Sequence, residues 1–206
     1  MLLSWLNAGI IKCPIVPSIT IHEKQNAAMS EHLDIKEETL NWVRSFIIEY
    51  ELCPFARAPV NKGALRITVS DHKKQALALE DLMAEIHFLE EHPATETTLL
   101  VFAHAFKDFF AYLDFVDLAE ELLQQLEYEG IYQIATFHPD YYFADTDPDD
   151  VANYTNRSPY PMLHLLREEY LEKAIAAYGD TDKIPEKNTA TMRRLGLEQI
   201  KKILGK

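Results

Sequence analysis

Residues 97–103, Thr-Thr-Leu-Leu-Val-Phe-Ala, are apolar through their centre, with no polar–apolar alternation. A strand of that kind has neither face to give to water, so it reads as the middle of a sheet covered on both sides. The neighbouring sequence supplies helices to cover it. Residues 72–91 place Leu79, Leu82, Met83, Ile86 and Leu89 inward, and residues 107–128 form a second long helix whose acidic end Gly130 stops. Two further strands bracket this centre. Residues 64–70 alternate, with Leu65, Ile67 and Val69 on one face, and residues 131–137 (Ile-Tyr-Gln-Ile-Ala-Thr-Phe) form a third strand. Strand, helix, strand, helix, strand with these connection lengths predicts parallel strands and right-handed crossovers. The expected fold is an α/β single domain with a small, mostly parallel sheet of about three or more strands flanked by helices.

Around this centre the chain reads as follows. From Asp34, the residues Leu40, Val43, Ile47 and Ile48 repeat at helical spacing, and Cys53-Pro54 ends that helix. Residues 138–158 form a long loop, residues 159–177 a helix, and residues 186–204 one or two more. Residues 1–28 read as a loose N-terminal extension and 29–206 as the domain, with Met29 the expected start. Asn7, Lys12, Pro14 and Pro17 interrupt the apolar opening, so a membrane-spanning helix is not available there. Lys12 sits inside that run with nothing basic before it, which does not fit an export signal. Cys13 and Cys53 give no disulfide framework, so a reducing cytoplasm is the expected location.

Composition narrows the function classes. Only 6 glycines are present, where average usage gives roughly 14. No two lie close together, so neither a P-loop nor G-x-G-x-x-G can be written, which argues against backbone-cradled nucleotide phosphates. The net charge is −13, with 33 acids against 20 Lys and Arg. That balance argues against nonspecific binding to nucleic acid, which depends on cations neutralising phosphates.

Ligands of open parallel sheets bind beyond the carboxyl ends of the strands. His104 follows the second strand there, and His138, Pro139 and Asp140 follow the third. Three segments nearby stand out: Leu52-Cys53-Pro54-Phe55-Ala56, Phe137-His138-Pro139-Asp140-Tyr141-Tyr142-Phe143-Ala144, and residues 156–168, Asn-Arg-Ser-Pro-Tyr-Pro-Met-Leu-His-Leu-Leu-Arg-Glu. They closely resemble signatures of a bacterial domain-of-unknown-function family, number fourteen-fifteen. The resemblance covers roughly residues 34–178. It implies that these segments belong together and transfers no activity.

His138 is the candidate general acid/base, with Asp140 near enough in sequence to orient its ring. The alternative is a strand-end histidine bonded to backbone. Ser158 is a candidate cap for the helix expected from Pro159, whose first turn tolerates Pro159 and Pro161. Prolines remove N–H donors, so an anion at that helix start has to be held by side chains, with Arg157 foremost. On that helix, His164, Arg167 and Glu168 fall on one face. Tyr141, Tyr142, Tyr154 and Tyr160 line a ligand pocket or simply pack the loop. Cys53, at a helix C-terminus, reads as a packed thiol rather than a nucleophile.

The resulting expectation is a cytosolic enzyme acting on a small anionic metabolite. His138, Asp140 and His164 carry the chemistry, and Arg157, Arg167, Tyr160 and Ser158 hold the substrate. Two alternatives stay open. One is a metal site built from His104, His138, Asp140 and His164. The other is an interaction module with these residues on a flat face. No nucleic acid and no membrane partner is expected, and no cofactor is indicated.

Overall fold

In the computed structural model, residues 21–205 are described; of the loose extension expected over residues 1–28, residues 1–20 lie outside them, and residues 21–28 belong to the helix that starts at Ile21. Strand β1 spans Leu65–Val69, β2 Thr97–Val101, β3 Tyr132–Phe137 and β4 Met162–Arg167. All five residues of β2 are buried, as an apolar run without alternation requires. Helix α3 (Gln75–Glu91) links β1 to β2, and α4 (Phe109–Gln125) links β2 to β3. The Asp108 carboxylate caps α4 by accepting a hydrogen bond from the Ala111 N–H at 2.9 Å.

The sheet corrects the sequence reading. Its order is β1-β2-β4-β3. Only β1 and β2 pair in parallel. Strand β4 inserts between β2 and β3 and is antiparallel to both. The first three strands do run in one direction, as their helical crossovers demand, but β3 is kept from β2 by β4. The sheet is therefore mostly antiparallel by pairing, not mostly parallel.

The reading of residues 159–177 as one helix is corrected with it. Helix α5 starts only at Glu168 and ends at Tyr178. In the strand before it, Leu163 and Leu165 point to one face of the sheet, and Met162 and His164 to the other. Both faces are covered, so the run is apolar on both sides and its period of two is concealed.

One face packs against α3 and α4. Leu82, Ile86, Tyr112 and Phe115 meet Leu100, Phe102, Leu163 and Leu165 there. The opposite face is covered by α1 (Ile21–Trp42), its π-helical continuation Val43–Ile48, and α6 (Ile184–Ile203). Trp42, Phe46, Met192 and Ile200 meet Leu99, Val101 and Met162. Helix α1 begins well before Asp34. Gly196 interrupts α6 with φ 73° and ψ 160°, a backbone conformation L side chains rarely adopt. The short helix α2 (Arg57–Lys62) follows the Leu52–Ala56 segment, and Gly63 stops it at φ 68°.

Candidate functional site

The edge where β3 ends and β4 begins gathers His138, Asp140, Arg157, Ser158 and Tyr160. The side chains of His138, Arg157, Ser158 and Tyr160 are all bonded to other groups of the protein. His138 is fully buried beside Phe109 and Tyr112. Its Nε2–H donates to the Phe106 carbonyl at 2.8 Å, and its Nδ1 accepts from the Asp140 backbone N–H at 3.0 Å. Those two bonds define one neutral tautomer and occupy both nitrogens. Burial pushes its pKa down, with the Phe106 carbonyl working the other way. Asp140 does orient the ring, but through its backbone amide; its side chain is exposed.

Arg157 donates from Nε to the Tyr141 carbonyl at 2.9 Å and from Nη2 to the Pro148 carbonyl at 2.7 Å. Its guanidinium lies 4.6 Å from the centre of the Tyr154 ring. It therefore ties the 138–161 loop to itself. Asn153, which carried no signal in the sequence, shares that work. Its Oδ1 accepts from the Phe143 N–H at 3.2 Å and the Thr146 hydroxyl at 2.7 Å, and its Nδ2 donates to the Asp147 carbonyl at 2.8 Å. Ser158 caps no helix, because a strand follows; its hydroxyl donates to the Tyr160 carbonyl at 2.6 Å. The Tyr160 hydroxyl donates to Glu38 at 2.5 Å, and burial together with that carboxylate pushes its pKa up to about 12.

His164 and Arg167 do not share a face, because three residues apart on a strand puts them on opposite sides of the sheet. Arg167 donates from Nε to the Thr95 carbonyl at 3.2 Å, from Nη1 to the Tyr132 hydroxyl at 3.1 Å, and from Nη2 to the Leu89 carbonyl.

His164 opens onto a different place. Beneath the α1 face of the sheet lies a chamber of about 570 Å³. Leu65, Leu99, Ala135, Phe137 and His164 form its floor. Trp42 at the end of α1, Val43 and Ile47 of its π-helical continuation, Cys53 and Phe55 of the loop before α2, and Leu171 and Ala174 of α5 form its walls. In register, Leu99, His164 and Ala135 stand abreast across β2, β4 and β3. All three signature segments reach the chamber, through Cys53, Phe137 and His164. Its volume lies within the ~300–1,000 Å³ typical of small-molecule sites.

Thr97 settles the chemistry of His164. The Thr97 hydroxyl has one proton, and it goes to the Leu165 carbonyl at 2.5 Å. Its oxygen must then accept at 2.7 Å from His164 Nε2–H. Among the described residues, Nδ1 is left with a lone pair and no hydrogen-bond partner. His164 is half-buried and lines the chamber. Burial lowers the His164 pKa to about 4, so the ring is neutral at ordinary pH. Burial also pushes the Cys53 thiol up, which keeps it protonated.

The structure thus brings His164 together with Thr97 and Cys53 in the lining of one chamber, with Arg167 at its border, and leaves His138 and Arg157 elsewhere. His104 lies 3.4 Å from Glu31. Among the described residues, no three His, Cys, Asp or Glu side chains gather where a metal could be held, so the set His104, His138, Asp140 and His164 is not assembled. Among the described residues, no helix is long and apolar enough to cross a membrane.

Fold and site together define an α/β protein whose mixed four-stranded sheet floors an internal apolar chamber. The chain matches the model of a family described as "Protein of unknown function (DUF1415)" over residues 34–202, and it belongs to that family. The match runs through α6, well past residue 178, where the resemblance read from the motifs ended. No curated protein and no solved structure matches the chain.

Proposed function

We propose that this protein binds a small, largely apolar molecule in the chamber beneath the sheet. The observation that carries this is the cavity of about 570 Å³ built where all three signature segments meet, with His164 among its polar lining groups. A pocket of mostly apolar walls with few convergent polar groups is the usual form of a small-molecule site.

Recognition is favoured over acid–base turnover. A general base works best with a pKa near the operating pH, and His164 at about 4 is far below it. His138, the other candidate, has both nitrogens engaged. An interaction module presenting a flat face is less well supported, because the three signature segments converge on a concavity.

The test is extraction of the natively purified protein followed by mass spectrometry, beside an Ala135→Phe variant that fills the floor next to His164. A small molecule carried by the wild type and absent from the folded variant is the expected result. A wild type that carries nothing and takes up nothing from an apolar library would refute the reading.

A further inference from the structure

We infer that the chamber selects uncharged ligands whose apolar body bears a hydrogen-bond donor, a hydroxyl or amide N–H, and that His164 Nδ1 is the acceptor that reads it. This rests on the chamber being the ligand site.

The charge inventory comes first. Among the described residues, four charged ones border the chamber: Lys62, Glu96, Arg167 and Lys173. Lys62 Nζ pairs with Glu96 at 2.8 Å, and Lys173 Nζ pairs with Glu169 at 2.5 Å. Both lysine side chains are largely exposed, at 61% and 67%, so they stand at the mouth in water. Arg167, three residues from His164 on one strand, carries its guanidinium to the opposite face of the sheet, where it donates to the Thr95 and Leu89 carbonyls and the Tyr132 hydroxyl. Among the described residues, no ammonium or guanidinium group is therefore placed beside His164 to offset a buried carboxylate or phosphate, and a buried charge without a partner is strongly disfavoured.

The polar inventory comes second. With Nε2–H given to Thr97, His164 offers only an acceptor. A ligand that brings a donor completes that bond, while one that brings only an acceptor leaves Nδ1 desolvated and unpaired. The Cys53 thiol, which also lines the chamber, is a weak donor and does not replace it.

Octanol, octanamide, methyl octanoate and octanoate share one apolar body and differ in the head. Calorimetric titration at pH 7 should rank octanol and octanamide about three- to tenfold tighter than methyl octanoate, the span of one neutral hydrogen bond. Octanoate should be weakest. In His164→Leu, octanol should lose its advantage over methyl octanoate, whose own affinity should stay within about twofold. The wild-type ranking decides the head-group preference even if that variant does not fold. Octanoate binding tightest, or an octanol preference that survives in His164→Leu, would overturn the inference while leaving the chamber as the site. Absence of binding by all four would overturn both.

Discussion

His138 and His164 are both held against the same sheet, on opposite faces, and both are kept neutral by burial. Their bonding differs. His138 is closed: a carbonyl takes its proton and a backbone amide fills its lone pair. His164 is half open: Thr97 accepts its N–H, and among the described residues nothing fills its lone pair. The closed ring fastens the start of the long loop to α4's leading residues, whereas the open one leaves an unspent acceptor on the wall of a chamber. Burial and a shifted pKa are common to both, so neither separates structure from recognition. The count of satisfied nitrogens does.

The sharpest way to break that comparison is His138→Ala. It removes two buried bonds, orphans the Phe106 carbonyl and the Asp140 N–H, and leaves a void, so denaturant unfolding should show a loss of about 3–4 kcal/mol. A variant as stable as wild type would mean that His138 is not structural. Next in size is pH. In the unfolded chain His164 titrates near 6.5, while in the folded protein it titrates at about 4. Between those values the unfolded chain takes up a proton the folded protein refuses, so stability falls as pH drops from about 6.5 to 4 and levels off below. The part due to His164 is roughly 3 kcal/mol. His164→Leu should lose that part while staying within about 1 kcal/mol of wild type at pH 7, since Thr97 keeps its bond to Leu165. An unchanged pH profile in the variant would contradict this assignment.

Arg157→Ala should cost about 2 kcal/mol by removing two bonds to loop carbonyls and the contact with Tyr154, and should expose residues 141–157 to limited proteolysis. Weakened octanol binding with an intact loop would instead tie Arg157 to the ligand. The smallest effect belongs to Lys62→Met, under about 0.5 kcal/mol, because the pair with Glu96 is at the surface. A larger shift in ligand affinity than in stability would place recognition at the mouth.

The layered α/β core was legible in the sequence. The apolar run at β2 and the amphipathic spacing of α3 and α4 follow from local periodicity, and all three appear near their expected positions. Strand β4 was not legible. Leu163, Leu166 and Tyr170 also fit helical spacing, and Pro159 and Pro161 are ordinary first-turn residues of a helix. In the structure they instead close the loop and lead into an extended segment. The site was legible only in part. His164 was flagged for its type, but Thr97, Leu99 and Ala135 carry no chemical signature, and they matter only because β2 and β3 flank His164 in register. Arg157, Ser158 and Tyr160 read from the sequence as ligand groups, yet each donates to a group within the protein.

By itself, then, the sequence determined a covered central strand, two helices linking the first three strands, and those three strands running one way. These follow from side-chain periodicity within single segments. Tertiary structure alone decided that a fourth strand would part β2 from β3 and reverse the sheet's predominant pairing. It also decided which histidine keeps a free lone pair. Both outcomes depend on hydrogen bonds between residues far apart in the chain, such as the 67-residue separation of Thr97 and His164, and periodicity within one segment does not record those.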